Sequence, residues 1–193
     1  MPEQFLHGVE VLEILDGPRP IRTVASSVIG LIGTAPASEA EVKATLTIGT
    51  AAANNGILFT SKKTGALGNK TAIRFRNPMA NSATLSVSVS GDLITVNLAT
   101  GPTGTVTTTG TLLIAAIAAN TAANALVTAA NVATSTGAGV VPVTNTTFLD
   151  GGLDEAFPLN TPVLVSGSRT LAARAGATGT LPNALDGILD QAG

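Results

Sequence analysis

The sequence predicts a mixed α+β / α/β chain: an α/β domain, cut short, that is interrupted by a small α+β module. Three observations carry this reading. Apolar residues alternate with small polar ones in several short runs of the middle segment. Continuous apolar runs, the pattern of strands covered on both faces, stand on either side of it. Between them the composition changes abruptly to Thr, Ala, Asn, Ser and Gly over residues 44–152.

In the first segment, Val9, Val11, Leu12, Ile14 and Leu15 mix alternating and continuous apolar positions, which suits a strand lying beside another chain. Gly17-Pro18-Arg19-Pro20 stops it, because proline lacks an amide donor and biases its predecessor to an extended conformation. An extended N-terminal arm over residues 1–20 follows. Val28-Ile29-Gly30-Leu31-Ile32-Gly33 reads as a buried strand, and Thr34 to Ser38 as the loop that closes it.

In the middle segment, Leu46 and Ile48 alternate with Thr45 and Thr47, and Ile73 and Phe75 with Arg74 and Arg76. Leu85, Val87 and Val89 alternate with serines, and Ile94, Val96 and Leu98 with Thr95 and Asn97. A period of two with polar partners describes antiparallel strands with one wet face. Gly91-Asp92 is a hairpin turn between the last two. Leu112, Leu113, Ala116 and Ile117 lie at helical spacing behind a Thr109 or Thr111 cap. More helix is expected near 124–130, and a closing strand at Phe148-Leu149.

In the last segment, Pro162-Val163-Leu164-Val165-Ser166 reads as a second buried strand, and 169–175 as a short helix. Leu181, Leu185, Ile188 and Leu189 then mark a helix with Thr180 as N-cap and Pro182 in its first turn. Residues 21–43 and 153–193 thus form one discontinuous partial domain, with 44–152 inserted in a loop.

Composition narrows the function. Charged residues make up 11%, the formal net charge is -2, and aromatic residues are 3% with no Trp or Tyr. A basic face for nucleic acid and stacking planes for bases or sugars are both missing. The absence of Cys removes disulfides, thiolate metal sites and cysteine nucleophiles. The run from Leu112 to Ala119 is far short of the roughly 20 apolar residues that span a bilayer. With no signal-peptide pattern at Met1-Pro2-Glu3-Gln4, a soluble product made in the cytoplasm is expected.

Motifs for chemistry are weak. His7 has no second His or Cys to share a metal or serve as a base. Asp150, Asp154 and Glu155 lack calcium-loop spacing and read as a solvated turn. Gly65-Ala66-Leu67-Gly68-Asn69-Lys70 lacks the spacing of a phosphate loop. Ser166-Gly167-Ser168 is no nucleophile elbow. Lys62, Lys63, Lys70, Arg74 and Arg76 make a mild basic cluster, by default a solvated face and otherwise a contact for an acidic surface. No catalytic residue, cofactor or metal is assigned.

The outer blocks resemble a known family. His7 to Glu13, Gly17 to Val24, Ser27 to Pro36, Phe157 to Val165 and Leu181 to Gly193 follow, in order, the start of tail sheath proteins of contractile-tailed phages and R-type pyocins. The resemblance implies an N-terminal portion of a virion tail subunit, made in a bacterial host. Such subunits stack as hexameric rings around a tail tube, and the arm adds a strand to a neighbour's sheet. Strand addition would use Val9, Val11, Leu12, Ile14 and Leu15 for register, with Arg19 and Arg22 facing the neighbour. The middle segment departs from the common sheath core and resembles peripheral inserts of some phage sheath proteins. The implied function is structural, driving the tube through the host envelope by repacking of subunits. The implied partners are other sheath subunits and the tube protein, without nucleic acid or membrane insertion. A surface-exposed, adhesin-like binding module is the alternative, and an enzyme is the weakest reading.

Overall fold

The computed structural model describes residues 29–167 and 169–191. Two compact units divide the chain, residues 1–32 and 33–193. Of the first, residues 29–32 are described. They form neither helix nor strand, and the Ile32 side chain is fully exposed at 106%. The buried strand expected at Val28–Gly33 is therefore not formed over its described part. A continuous apolar run becomes a strand only where neighbours cover both faces, and no described strand pairs with it.

The second unit contains two sheets. The first is antiparallel in the order β1 (Thr45–Ile48), β2 (Ile57–Ser61), β6 (Val127–Asn131). The other runs β4 (Ser86–Ser90), β5 (Leu93–Asn97), β3 (Ala72–Arg76), β7 (Thr147–Phe148). Mixed helices and strands make the architecture α+β, as the sequence predicts. One detail is corrected: β3 and β5 are parallel, Ile73 facing Ile94 and Phe75 facing Val96, rather than antiparallel. Alternation fixes which side chains face inward, but it is blind to strand direction. The β4–β5 hairpin forms as expected, with Ser90 opposite Leu93. Gly91 takes φ +58° at the first loop position, where any other residue would be strained.

Thr109 caps helix α1 (Gly110–Ala119), its hydroxyl accepting from the Leu112 amide at 3.5 Å. Asn120 ends α1 and starts α2 (Thr121–Leu126). Its Oδ1 accepts from the Ala123 amide at 3.0 Å, while its Nδ2 donates to the Val87 carbonyl of β4 at 2.9 Å. One side chain thus caps a helix and covers a sheet-edge acceptor. The expected helix at 124–130 is corrected here: α2 stops at Leu126 and the chain enters β6 directly. Val127-Thr128-Ala129-Ala130-Asn131 lacks alternating bulk, and its β-branched Val127 and Thr128 join the ladder that β2 offers.

Both sheets bury their apolar faces in one core. Phe59 of β2 and Phe75 of β3 meet edge to face across it, ring centroids 6.1 Å apart at 63°. Ile57, Ile73, Ile94, Val96, Leu98, Leu113, Ile117 and Leu149 complete it, all essentially inaccessible. Helices α1 and α2 pack against β6 of one sheet and β4 of the other, closing the core between them.

A second, smaller cluster is built from the flanking segments: Ala172, Ala175 and Leu185, with Ala35, Phe157, Val165, Leu181 and Leu189 around them. It holds α3 (Arg169–Ala173) against α4 (Thr180–Gln191). Both helices match the sequence reading, with Pro182 buried in the first turn of α4. Thr180 is not an outlying cap, however, since α4 begins on it and its hydroxyl accepts from the Thr34 amide at 3.0 Å. The strand expected at Pro162–Ser166 is absent, and Leu164 is 80% exposed. As at 29–33, no described strand flanks this run.

The Phe59 ring is fully buried and meets Phe75 of the other sheet. Phe59→Ala should lower stability by about 3–5 kcal/mol in urea unfolding. Phe148→Ala, on an exposed position of β7, should stay within about 0.5 kcal/mol of the parent.

Candidate functional site

The residues assigned to inter-subunit contact, Val9, Val11, Leu12, Ile14, Leu15, Arg19 and Arg22, lie outside the described residues, as does His7. What the structure does build is the place where the flanking segments meet the middle segment. Here the chain passes twice, in antiparallel directions. Val42 and Leu153 exchange both backbone hydrogen bonds, at 2.8 and 2.9 Å. One step further in, Thr45 and Asp150 exchange theirs at 2.8 and 3.0 Å.

Side chains clamp this two-stranded neck. The Asn69 amide donates to the Gly152 carbonyl at 3.0 Å and accepts from the Gly152 amide at 2.8 Å. Asn69 thereby satisfies both backbone groups of a buried residue, as a neighbouring strand would. The approach is close enough that a Cβ on Gly152 would stand 2.4 Å from the Gly65 carbonyl oxygen. Asp154 Oδ1 accepts from the Ala66 amide at 2.9 Å. On the other side of the neck, Arg174 ion-pairs with Glu39 and donates from Nη2 to the Asp154 carbonyl at 3.0 Å. The Glu39 amide donates to the Arg174 carbonyl at 2.8 Å, and the Ala156 amide to the Glu39 carbonyl at 3.1 Å.

These contacts give the weak motifs their places. Gly65–Lys70 is a 3₁₀ turn whose Gly65 and Gly68 are buried against the neck. The carboxylates at 150–155 do not converge: Asp154 holds the Ala66 amide, and Asp150 accepts from the Gly151 amide at 2.7 Å. No group of three or more metal-ligating side chains gathers among the described residues. The basic residues separate too. Lys62 donates to Asn124 at 2.9 Å, Lys63 pairs with Asp92, and Arg74 and Arg76 project from one face of β3. Asn69, Glu39 and Arg174 carry no sequence signature. The adjacent Gly151-Gly152 was the legible trace, a mark of close backbone approach.

Comparison with known proteins gives one short likeness. Over 36 residues the chain is 58% identical to the tail sheath protein of Burkholderia phage BcepMu (isolate -/United States/Summer/2002), covering 19% of this chain and 8% of that protein. The chain therefore has a local relationship to a phage tail sheath protein and matches only a small part of its length. No protein-family model matches the chain, and no solved structure does. Among the described residues, no helix is long and apolar enough to cross a membrane.

Removing the Asn69 side chain would leave the Gly152 amide and carbonyl without partners in a buried setting. Asn69→Ala should cost about 1–3 kcal/mol in chemical unfolding. In amide hydrogen exchange the loss of protection should concentrate at Gly152, Leu153 and Val42 rather than in β4 and β5.

Proposed function

We propose that this chain is part of the tail sheath of a contractile phage tail or related injection particle, a structural subunit and not an enzyme. The observation that carries the reading is the 58% identity over 36 residues to a phage tail sheath protein. Its partners are other sheath subunits, in stacked hexameric rings, and the tail tube. Shortening of that lattice drives the tube through the host envelope. It uses no cofactor or metal, because the work comes from subunits repacking.

The fold supports a division of labour. One hydrophobic cluster draws only on residues 44–149, and the other only on Ala35 and residues 157–189. Two adjacent chain passages, Val42–Thr45 and Asp150–Leu153, connect them. A module tethered in this way adds mass to a subunit without interrupting the domain that carries it. Residues 44–152 are then the peripheral insert, residues 21–43 and 153–193 the lattice-forming part, and residues 1–20 the linking arm. Exposed Ile29, Ile32 and Leu164 fit surfaces that sheath neighbours or further sheath-core strands would cover.

Negative-stain microscopy of the native particle, with intact mass of the subunit, tests this. Striated tubes containing the chain, on its own or within a longer polypeptide, are the expected result. A product that stays monomeric beside tube-bearing particles lacking it would remove the sheath reading and leave the alternative of a binding module. Within assembled material, Arg19→Glu with Arg22→Glu should abolish ring stacking or reduce tube yield at least about tenfold. Unchanged tubes would remove those two residues from the inter-subunit contact.

A further inference from the structure

The four-stranded sheet turns Ile73, Phe75, Ile94 and Val96 to the core and leaves a polar row pattern on its other face. Arg74 stands opposite Thr95, which stands opposite Ser88; Arg76 stands opposite Asn97, which stands opposite Ser86. Where β7 ends, β3 runs on beside the segment 143–145. The Thr144 amide donates to the Phe75 carbonyl at 3.0 Å, and the Phe75 amide to Thr144 Oγ1 at 3.1 Å. An open groove of about 490 Å³ lies there, lined among others by Arg74, Arg76, Asn77, Met79, Val143 and Asn145.

The groove is lined by two guanidinium side chains. Its lining contains no carboxylate. The ion pairs among the described residues are Lys63–Asp92, Arg169–Asp190 and Arg174–Glu39, so neither groove arginine is neutralised by one. Arg74 reaches Thr95 Oγ1 from Nη2 at 3.4 Å, and its Nε is buried with no partner. Asn77 is already spent, donating to the Gly104 carbonyl at 3.3 Å and accepting from the Met79 amide at 2.9 Å. A buried guanidinium donor without an acceptor is a cost to the fold. Two guanidiniums two residues apart on one strand share a face and can hold one oxyanion between them.

We propose that this groove is an oxyanion subsite, taking a carboxylate or phosphate group against Arg74 and Arg76. Met79 and Val143 add apolar surface to its lining. The site lies on the module outside the neck and does not depend on the tail-sheath reading.

The test is an amide-resolved NMR titration of the ¹⁵N-labelled 193-residue chain. Inorganic phosphate and sodium glucuronate are added in separate arms, each against sodium chloride at equal ionic strength. Saturable shifts at the Arg76, Asn77, Thr144 and Asn145 amides with either probe, absent with chloride, are expected. The probe that saturates names the source class as phosphate or carboxylate. Arg76→Gln, an exposed change, should weaken binding about tenfold or more. Arg74→Gln should do the same while leaving shifts of the α4 amides unchanged. Non-saturating or chloride-like shifts with both probes, or unaltered binding in Arg76→Gln, would overturn the proposal.

Discussion

The contact between Phe59 and Phe75 is what the rest of the middle segment depends on. The chain has five phenylalanines and no Trp or Tyr, and among the described residues these two are paired ring to ring, one from each sheet. Without them the sheets would face each other through Ala, Val, Ile and Leu alone. Small aliphatic side chains fill space but do not fix an angle, whereas an edge-to-face pair prefers a particular geometry. The position of β2 relative to β3 then sets where α1 and α2 can lie. Those helices touch both sheets, so their place follows from the spacing of the sheets.

The parts of the fold that were legible in the sequence are those in which a local pattern also sets the tertiary role. Val87 and Val89 alternate with serines and form β4; Thr109 precedes a helical run and caps it. Gly91-Asp92 closes a two-residue hairpin between the strands it joins. Three things were not legible, each for a physical reason. β6 follows a helix without a break and lacks a period of two, and it becomes a strand because β2 offers it a ladder. The parallel direction of β3 and β5 comes from the connection through β4, which alternation does not encode. The runs at 29–33 and 162–166 have the composition of buried strands, yet burial is a property of neighbours, and no described strand adjoins them. The neck was not read from the sequence, and its one local trace is the adjacent pair Gly151-Gly152. Asn69, which binds that backbone, is separated from it by 83 positions, and no local rule connects them.

The neck also explains how the two hydrophobic clusters coexist without merging. The two passages of the chain are bonded to each other between the clusters, Val42 to Leu153 and Thr45 to Asp150. Glu39 and Arg174 lock the outer side, and Asn69 and Asp154 the inner side. A single-stranded tether of the same length would let the module swing, since each residue has two soft dihedrals. Two passages bonded to each other, and clamped at both ends, remove most of that freedom. The middle segment is thus joined to the flanking ones by hydrogen bonds along both passages, while its core shares no residue with the other cluster.

Such an arrangement suits repetition. A lattice that places many copies side by side brings like surfaces together, and like charges on them would repel within a Debye length of about 8 Å at physiological salt. This chain carries only 11% charged residues and a formal net charge of -2. Its four-stranded sheet shows Ser, Thr and Asn rather than Lys and Glu on most of its outer face. Hydroxyl and amide groups keep that face wetted without building up a net charge on it. The same economy makes Arg74 and Arg76 stand out, because in a surface so sparing of charge two cations on one strand face, in no ion pair among the described residues, are a feature that solubility does not require.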